Sequence, residues 1–317
     1  MNYHFMVDDK FFNNMIEEIE KVSVGSMNEY YVLKEKNEAK HVNHPRVKWI
    51  GQTDELARKL HSVTSNDRIF IHWYDLHIGR IILTIDKNIP VYVSLMGGDF
   101  YGDPIFYHRN WLFDKKTLLQ YDIANGYAGI HPRNPLKKLK HLRRLWLKDR
   151  QAKKEFDLKR QTIQRINYIL LPGKMDDEVS LVKKIYQLKE LTHLSFSFNQ
   201  NLDLALSLPV VHKKEPVVTI QVGNSATYEN NHTDLLMLIS KFSTEPVEVV
   251  LPFSYGDKEY LRFVKEHYLK VFADKLVCIE EFMPRQAYLE LLQKVDVCIM
   301  YHNRSQALGN CVALLAL

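Results

Sequence analysis

The sequence predicts an α/β protein of two domains, each built on a mainly parallel sheet. Three observations carry this. Short β-branched apolar runs alternate with segments of helical period along most of the chain. The rhythm breaks once, at SLPVVHKKEPV (207–217), where two prolines and a basic doublet separate apolar pieces. The length, 317 residues, also exceeds what one small core organises.

Taken in order, the apolar runs predict strands over 3–7, 30–33, 47–50, 68–72, 91–95, 168–171 and 194–198. Helical periods over 54–63, 79–87 and 179–188 fall between several of them, completing βαβ units in an N-terminal domain of 1–206. A linker follows over 207–216. The second domain, 217–317, restarts with strands over 217–222, 247–251, 276–279 and 295–301 and helices over 231–242, 257–272 and 285–293. Four strands are few for a doubly wound nucleotide domain. The closing GNCVALLAL reads as an open helix, so this domain is expected to be truncated.

Composition narrows the class. Apolar residues at 46% and charged residues at 26% match a folded, water-facing chain and argue against disorder. MNYHFMVDDKFF lacks the basic start and long apolar run of a leader, and no window approaches a membrane span. The protein is expected to stay in the cytoplasm, lying at most on a membrane surface. Cys278, Cys298 and Cys311 lack the spacing of a disulfide framework or a zinc site and read as small core residues.

Charge is concentrated rather than spread. The stretch HPRNPLKKLKHLRRLWLKDRQAKKEFDLKRQTIQR (131–165) holds thirteen Lys or Arg against three Asp or Glu. Leucines 136, 139, 142, 145 and 147 and Trp146 recur roughly every three residues, giving a helix an apolar stripe flanked by cations. Such a helix suits an anionic membrane surface, with Lys137, Lys138, Lys140, Arg143, Arg144 and Trp146 in contact. It also suits a solvated helix packed on its own domain through the leucines. Nucleic acid is a third partner for so much charge, disfavoured because no aromatics are interleaved as stacking platforms.

Three motifs could carry chemistry. TIQVGNSATYENNHTDLL (219–236) runs from a strand through one glycine into a helix. It lacks the three glycines of a dinucleotide fingerprint, which disfavours NAD and FAD as cofactors. Gly223, Asn224 and Ser225 still suit a phosphate or sugar, and equally suit a structural turn. YHNRSQALGN (301–310) also joins a strand to a helix, and Arg304 offers a planar fork for phosphate, with Gln306, Gly309 and Asn310 where the helix begins. Two such mouths in one α/β domain converge on one crevice, which would suit a diphosphate and equally leaves a purely structural pair of joints open.

VYVSLMGGDFYGD (91–103) ends an apolar strand at Asp99, placed either to accept a proton from an attacking hydroxyl or to cap the next turn. His72, closing RIFIHWYD with its neighbours, lies on the same rim and is either catalytic or structural. The chain contains no D-x-D, no G-x-S-x-G and no P-loop, which disfavours a nucleotide–metal transferase site, a serine hydrolase and an NTPase.

The pieces VGNSATYENNH, VVLPFSYGDKEYL and EEFMPRQAYLELLQKVDVCIMYHNRSQALGN, about 90 residues from first to last, resemble the bacterial TDP-N-acetylfucosamine:lipid II N-acetylfucosaminyltransferases. These are the 4-α-L-fucosyltransferases of glycosyltransferase family 56. HWYD and MGGDFYGD echo the same family more weakly.

The resemblance implies a GT-B fold, two Rossmann-like domains facing across a cleft, with the nucleotide-sugar on the C-terminal one and the acceptor on the other. It implies transfer of an amino-deoxy sugar from a TDP-sugar to a polyprenyl-diphosphate-linked saccharide, at the cytoplasmic face of the bacterial inner membrane, in cell-surface polysaccharide synthesis. No cofactor and no metal are implied; the TDP-sugar is the donor substrate. By position, Gly223, Asn224 and Ser225 would lie near the donor diphosphate. Arg304, Gln306, Gly309 and Asn310 would complete the cradle, and Pro252 and Tyr255 would line the base or sugar.

Two departures stand out: Met96 occupies the place of a tryptophan before the Gly-x-Asp, and the chain ends just after the Arg–Gln–Gly–Asn segment. The alternative from another class is a non-catalytic lipid- or saccharide-binding scaffold, or a decayed paralogue. For the enzyme, Arg304 and helix N-terminal amides would stabilise the leaving diphosphate, and Asp99 would activate the acceptor hydroxyl.

Overall fold

A computed structural model describes residues 1–9, 11–23, 27–51, 53–101, 112–128, 135–173, 175–196, 202–209 and 216–317. Parts of the expected linker (210–215), of the Asp99 motif (102–103), of the basic stretch (131–134) and of the seventh strand (197–198) lie outside the described residues. Contacts divide the chain into two units, 1–106 with 146–198, and 107–145 with 199–317.

The first unit carries strands β1 (Asn2–Met6), β2 (Asn28–Val32), β3 (Val47–Trp49), β4 (Arg68–His72), β5 (Val91–Ser94), β6 (Tyr168–Leu171) and β7 (Thr192–Ser195). They pair in parallel in the order β3-β2-β1-β4-β5-β6-β7. Helices α1 (Phe12–Val22), α2 (Thr53–His61), α3 (Leu76–Ile82) and α4 (Gly98–Tyr101) follow β1, β3, β4 and β5. The chain then passes through α5 (Lys115–Ala124), α6 (Pro135–Arg165) and α7 (Asp176–Tyr186). Strand order reverses between β1 and β4, so the crevice beside their carboxyl ends is where a ligand of this sheet would sit.

Besides α5, the second unit carries α8 (Leu202–Ser207), β8 (Val218–Val222), α9 (His232–Ile239), β9 (Val247–Pro252), α10 (Lys258–Phe272), β10 (Leu276–Ile279), α11 (Arg285–Leu292), β11 (Val297–Ile299) and α12 (Leu308–Ala316). Its sheet is parallel in the order β10-β9-β8-β11 and reverses between β8 and β11. Helix α10 shows why the sequence folds this way. Tyr260, Val264, Tyr268 and Phe272, four residues apart, are buried against Val222, Val249 and Leu251. Asp257 caps its first turn, accepting the N–H groups of Glu259 at 2.9 Å and Tyr260 at 2.7 Å.

The units do not follow the linear boundary expected at 206/207. Leu204 and Leu208 pack against Leu289, Leu292 and Ala313, so the chain joins the second unit before the proline-containing segment. The 107–145 segment joins it too. Asp234 on α9 accepts Lys116 N–H at 3.0 Å and Thr117 N–H at 2.8 Å, capping α5. Asn231 accepts Asp114 N–H at 2.8 Å. These partners lie more than a hundred residues apart, out of reach of any local pattern.

In the first unit, Tyr30, His4, Phe70, Tyr92 and Tyr168 stack across the sheet with ring centroids 4.4–4.8 Å apart. A hydrogen-bonded chain runs along the same face. His4 Nε2 meets Asn28 Oδ1 at 3.3 Å, His4 Nδ1 meets His72 Nε2 at 2.9 Å, and His72 Nδ1 meets Ser94 Oγ at 3.1 Å. Asn28 Oδ1 only accepts, so His4 donates through Nε2 and receives the His72 proton at Nδ1. His72, a candidate catalytic residue by sequence, is 1% exposed and committed to this chain, with no place on a solvent-facing rim. Burial pushes His4 down to about 4 and His72 well below the usual imidazole value.

The unfolded His4 imidazole takes up a proton near its ordinary value of about 6.5. The folded one stays neutral down to about 4. Between those values the unfolded chain binds the extra proton, so stability is lost as pH falls. Thermal unfolding followed across that window should show a falling midpoint, and His4→Gln should flatten the slope; an unchanged slope contradicts the assignment.

Candidate functional site

The carboxyl ends of β8 and β11 bring the two glycine- and arginine-containing loops together. Gly223 leaves β8 at φ +67°, where a Cβ would stand 2.4 Å from Asn230 Oδ1 and 2.9 Å from His232 Nε2. Only glycine fits both the conformation and the space. Gly223 N–H is bonded to Ile299 O at 2.9 Å, which ties the β8 exit to β11. Gly256, at φ +125°, lets the next loop approach equally closely: Ala226 N–H donates to Tyr255 O, and Asp257 N–H to Ala226 O, each at 2.9 Å.

Asn224 is the meeting point of the side chains. Its Nδ2 donates to Tyr255 Oη at 2.9 Å, and its Oδ1 accepts Gln306 Nε2 at 3.0 Å. Its N–H donates to Asn230 Oδ1 at 3.0 Å, an oxygen that also meets His302 Nε2 at 2.8 Å. Burial pushes His302 down to about 4, with Arg304 adding to the shift, and burial with His302 nearby pushes His232 to about 3. Both imidazoles are therefore neutral at physiological pH.

The helices leaving these two loops, α9 and α12, begin at Asn231 and Ala307 in the left-handed region without a side-chain cap on their first turns. Helix starts of this kind can direct amide dipoles at an anion. Arg304 Nη1 donates to Ser305 O at 3.2 Å, and Nη2 lies 3.8 Å from Glu229 Oε1; its side chain is 9% exposed. Glu229 thus lies beside the guanidinium, itself largely buried.

The other expected donor contacts divide. Pro252 closes β9 and is buried, whereas Tyr255 is exposed at the rim. Ser225 is fully buried, its hydroxyl held by Thr227 Oγ1 and Asn230 Nδ2 at 3.1 Å each, so it supports the loop instead of facing a ligand. Gly309 is exposed at the start of α12, and Asn310 Nδ2 is turned to Tyr288 Oη at 3.0 Å. Asn230, His232 and His302 were not singled out in the sequence. The ENNH run reads as turn residues, and only the fold brings His302 to it.

In the first unit, Asp99 is 4% exposed. Its Oδ2 accepts Tyr74 N–H and its Oδ1 accepts Met96 N–H, both at 2.9 Å. Burial raises its carboxyl above the ordinary range, and the two amides and Lys159 pull it back. The carboxylate expected either to take a proton or to cap the next turn instead clasps two loops, through amides of residues that precede it.

Helix α6 carries the basic stretch. Leu139 and Trp146, 65% and 57% exposed, share a face with exposed Leu142, and Leu147 is exposed beside them. Leu145 of the same stripe is partly buried, and the Leu136 side chain lies outside the described ones. Lys140, Arg143 and Arg144 flank the stripe in the open, and Arg150 lies over the Trp146 ring at 5.4 Å. Lys137 and Lys138 fall in the helix, but their side chains lie outside the described ones. Among the described residues, no helix is long and apolar enough to cross a membrane.

Solved structures share this architecture. An α,α-trehalose-phosphate synthase (UDP-forming) from Burkholderia xenovorans, in complex with glucose-6-phosphate, matches with a TM-score of 0.55 and 8% identity over 100% of this chain and 82% of its own. The OtsA apo structure matches with a TM-score of 0.54 and 9% identity over 100% and 81%. The corresponding enzyme from Burkholderia vietnamiensis gives 0.53 and 10% over 100% and 82%. At such identities the likeness is one of fold, the GT-B type of two parallel α/β units in one chain. The model of the family described as 4-alpha-L-fucosyltransferase, glycosyl transferase group 56, matches residues 151–317, more than half of the chain and the whole of the β8–β11 site. The chain belongs to this family and is a glycosyltransferase.

Proposed function

We propose that this transferase moves an amino-deoxy sugar of the N-acetylfucosamine type from a TDP-sugar to a polyprenyl-diphosphate-linked saccharide. The observation that carries the donor half is the Asn224–Gln306 hydrogen bond at 3.0 Å, which joins the loops after β8 and β11 at the reversal of strand order. A diphosphate seated there meets the first turns of α9 and α12. As the bond between the anomeric carbon and the diphosphate oxygen breaks, negative charge grows on the leaving group. Helix amides and the Arg304 guanidinium, exchanging Glu229 for a phosphate oxygen, offset it. Asn224, Tyr255 and Gln306 hold the loop geometry on which this depends. Asp99, 4% exposed and bonded to two loop amides, is assigned a positioning role in this reading.

The acceptor half rests on α6. Its exposed leucines and tryptophan, bordered by cations, suit the anionic cytoplasmic leaflet of a bacterial inner membrane, where a polyprenyl tail keeps its saccharide. Each cation near such a surface contributes about 1 kcal/mol, so Lys140, Arg143 and Arg144 together give useful retention. The pathway this fits is cell-surface polysaccharide synthesis.

Arg304→Ala should weaken TDP binding, measured calorimetrically, by about 10-fold or more, the effect of losing one charge-assisted hydrogen bond; unchanged affinity removes the guanidinium from the site. Gly223→Ala should abolish TDP binding and lower the unfolding midpoint, because the added carbon meets Asn230 at 2.4 Å. Arg143→Glu with Arg144→Glu should release the protein from phosphatidylglycerol vesicles in sedimentation assays, with little change on zwitterionic ones. Equal binding by the variant would contradict the docking role of α6.

A further inference from the structure

Trp73 follows β4 directly and adopts φ +139°. That region is left almost wholly to glycine, because a side chain there crowds the backbone. A bulky residue persists in it only where its surroundings hold it, and such residues gather at ligand sites.

The surroundings of Trp73 are specific. Asp99 grips the next residue through Tyr74 N–H and the opposite loop through Met96 N–H, both at 2.9 Å. Fully buried Lys159 donates to the Asp99 carbonyl and lies 5.2 Å from the centre of the Tyr74 ring. The edge of the indole rests on Gly98, where a Cβ would come within 3.0 Å of Cη2. The residue packs on the cluster containing Met6 and Phe12 and stays partly exposed. A tryptophan needed only for that packing could be supplied from an ordinary extended backbone, so packing alone does not account for the φ.

The position completes the argument. Trp73 stands at the carboxyl end of β4 beside β1, where the order of the first sheet reverses. Open parallel sheets take their ligands at this place, on few well-placed aromatic and polar groups. The geometry points to Trp73 as a saccharide platform, its indole stacking on the apolar C–H face of an acceptor sugar ring, with Asp99 as the positioning residue that sets it. The indole supplies a flat apolar face and one N–H donor, which matches a pyranose with its C–H face and hydroxyl rim. This inference rests on the acceptor being a saccharide, as proposed above.

The test uses the full chain with a TDP-sugar and a short-chain polyprenyl-diphosphate saccharide. TDP release from the donor without acceptor reports the transferase reading alone; the acceptor KM and the tryptophan emission on adding acceptor report Trp73. Trp73→Ala should raise the acceptor KM at least tenfold and leave donor-only TDP release unchanged, and Trp73→Phe should recover part of the loss. Acceptor should shift the emission of the wild type and not of Trp73→Phe. Asp99→Asn should raise the acceptor KM in the wild-type background and add nothing in the Trp73→Ala background. Should Trp73→Ala fail to fold, Trp73→Phe and the emission shift decide. An acceptor KM within twofold of wild type in Trp73→Phe together with a persisting emission shift overturns the platform, as does a parallel loss of donor-only TDP release in the soluble variant.

Discussion

The side-chain carbonyl of Asn230 holds the second unit's loops in register. It receives the Asn224 N–H at 3.0 Å from the loop after β8 and faces His302 Nε2 at 2.8 Å from the loop after β11. The same side chain turns its Nδ2 to Ser225 Oγ and Thr227 Oγ1 at 3.1 and 3.0 Å. Removing it leaves the buried Asn224 amide without its acceptor, a cost of about 1–3 kcal/mol concentrated at the crevice. The arrangement is possible only because residue 223 has no side chain. Burial keeps His302 neutral, so its Nε2–H donates to the Asn230 carbonyl without a charge on the ring.

The two sheets follow one plan. In each, the first three strands run outward from a central strand and the fourth is added on its other side. Each unit therefore has one crevice defined by topology before any side chain is considered. In the second unit the crevice meets the starts of α9 and α12, which suits an anionic leaving group. In the first unit it meets Trp73, proposed above to face an uncharged ring. The chemical contrast between the two crevices follows from what the strand ends carry.

The strands and most helices were legible in the sequence because β-branched runs and a spacing such as that of Tyr260, Val264, Tyr268 and Phe272 are local signals. The donor loops were legible as strand–glycine–helix and strand–arginine–helix joints. The docking of 112–128 on the second unit was not, since it depends on Asp234 and Asn231 reaching across more than a hundred residues. Asp99 shows the limit of a motif at a strand end. Capping and catalysis read alike in sequence, and the choice turns on where Tyr74 N–H lies. Ser225 reads equally as a ligand or a turn residue in sequence, and its hydroxyl is satisfied inward by residues later in the same loop. No sequence pattern announces the backbone of Trp73; only the folded chain shows a tryptophan where glycine is usual.

The central claim is that a nucleoside diphosphate sits between the loops after β8 and β11. A crystal structure of the TDP complex tests it most directly. The account predicts the diphosphate against the first turn of α12 and the Asn224 loop, with the Arg304 guanidinium moved from Glu229 onto a phosphate oxygen. TDP bound elsewhere on the chain, with the Glu229–Arg304 pair intact, would contradict it.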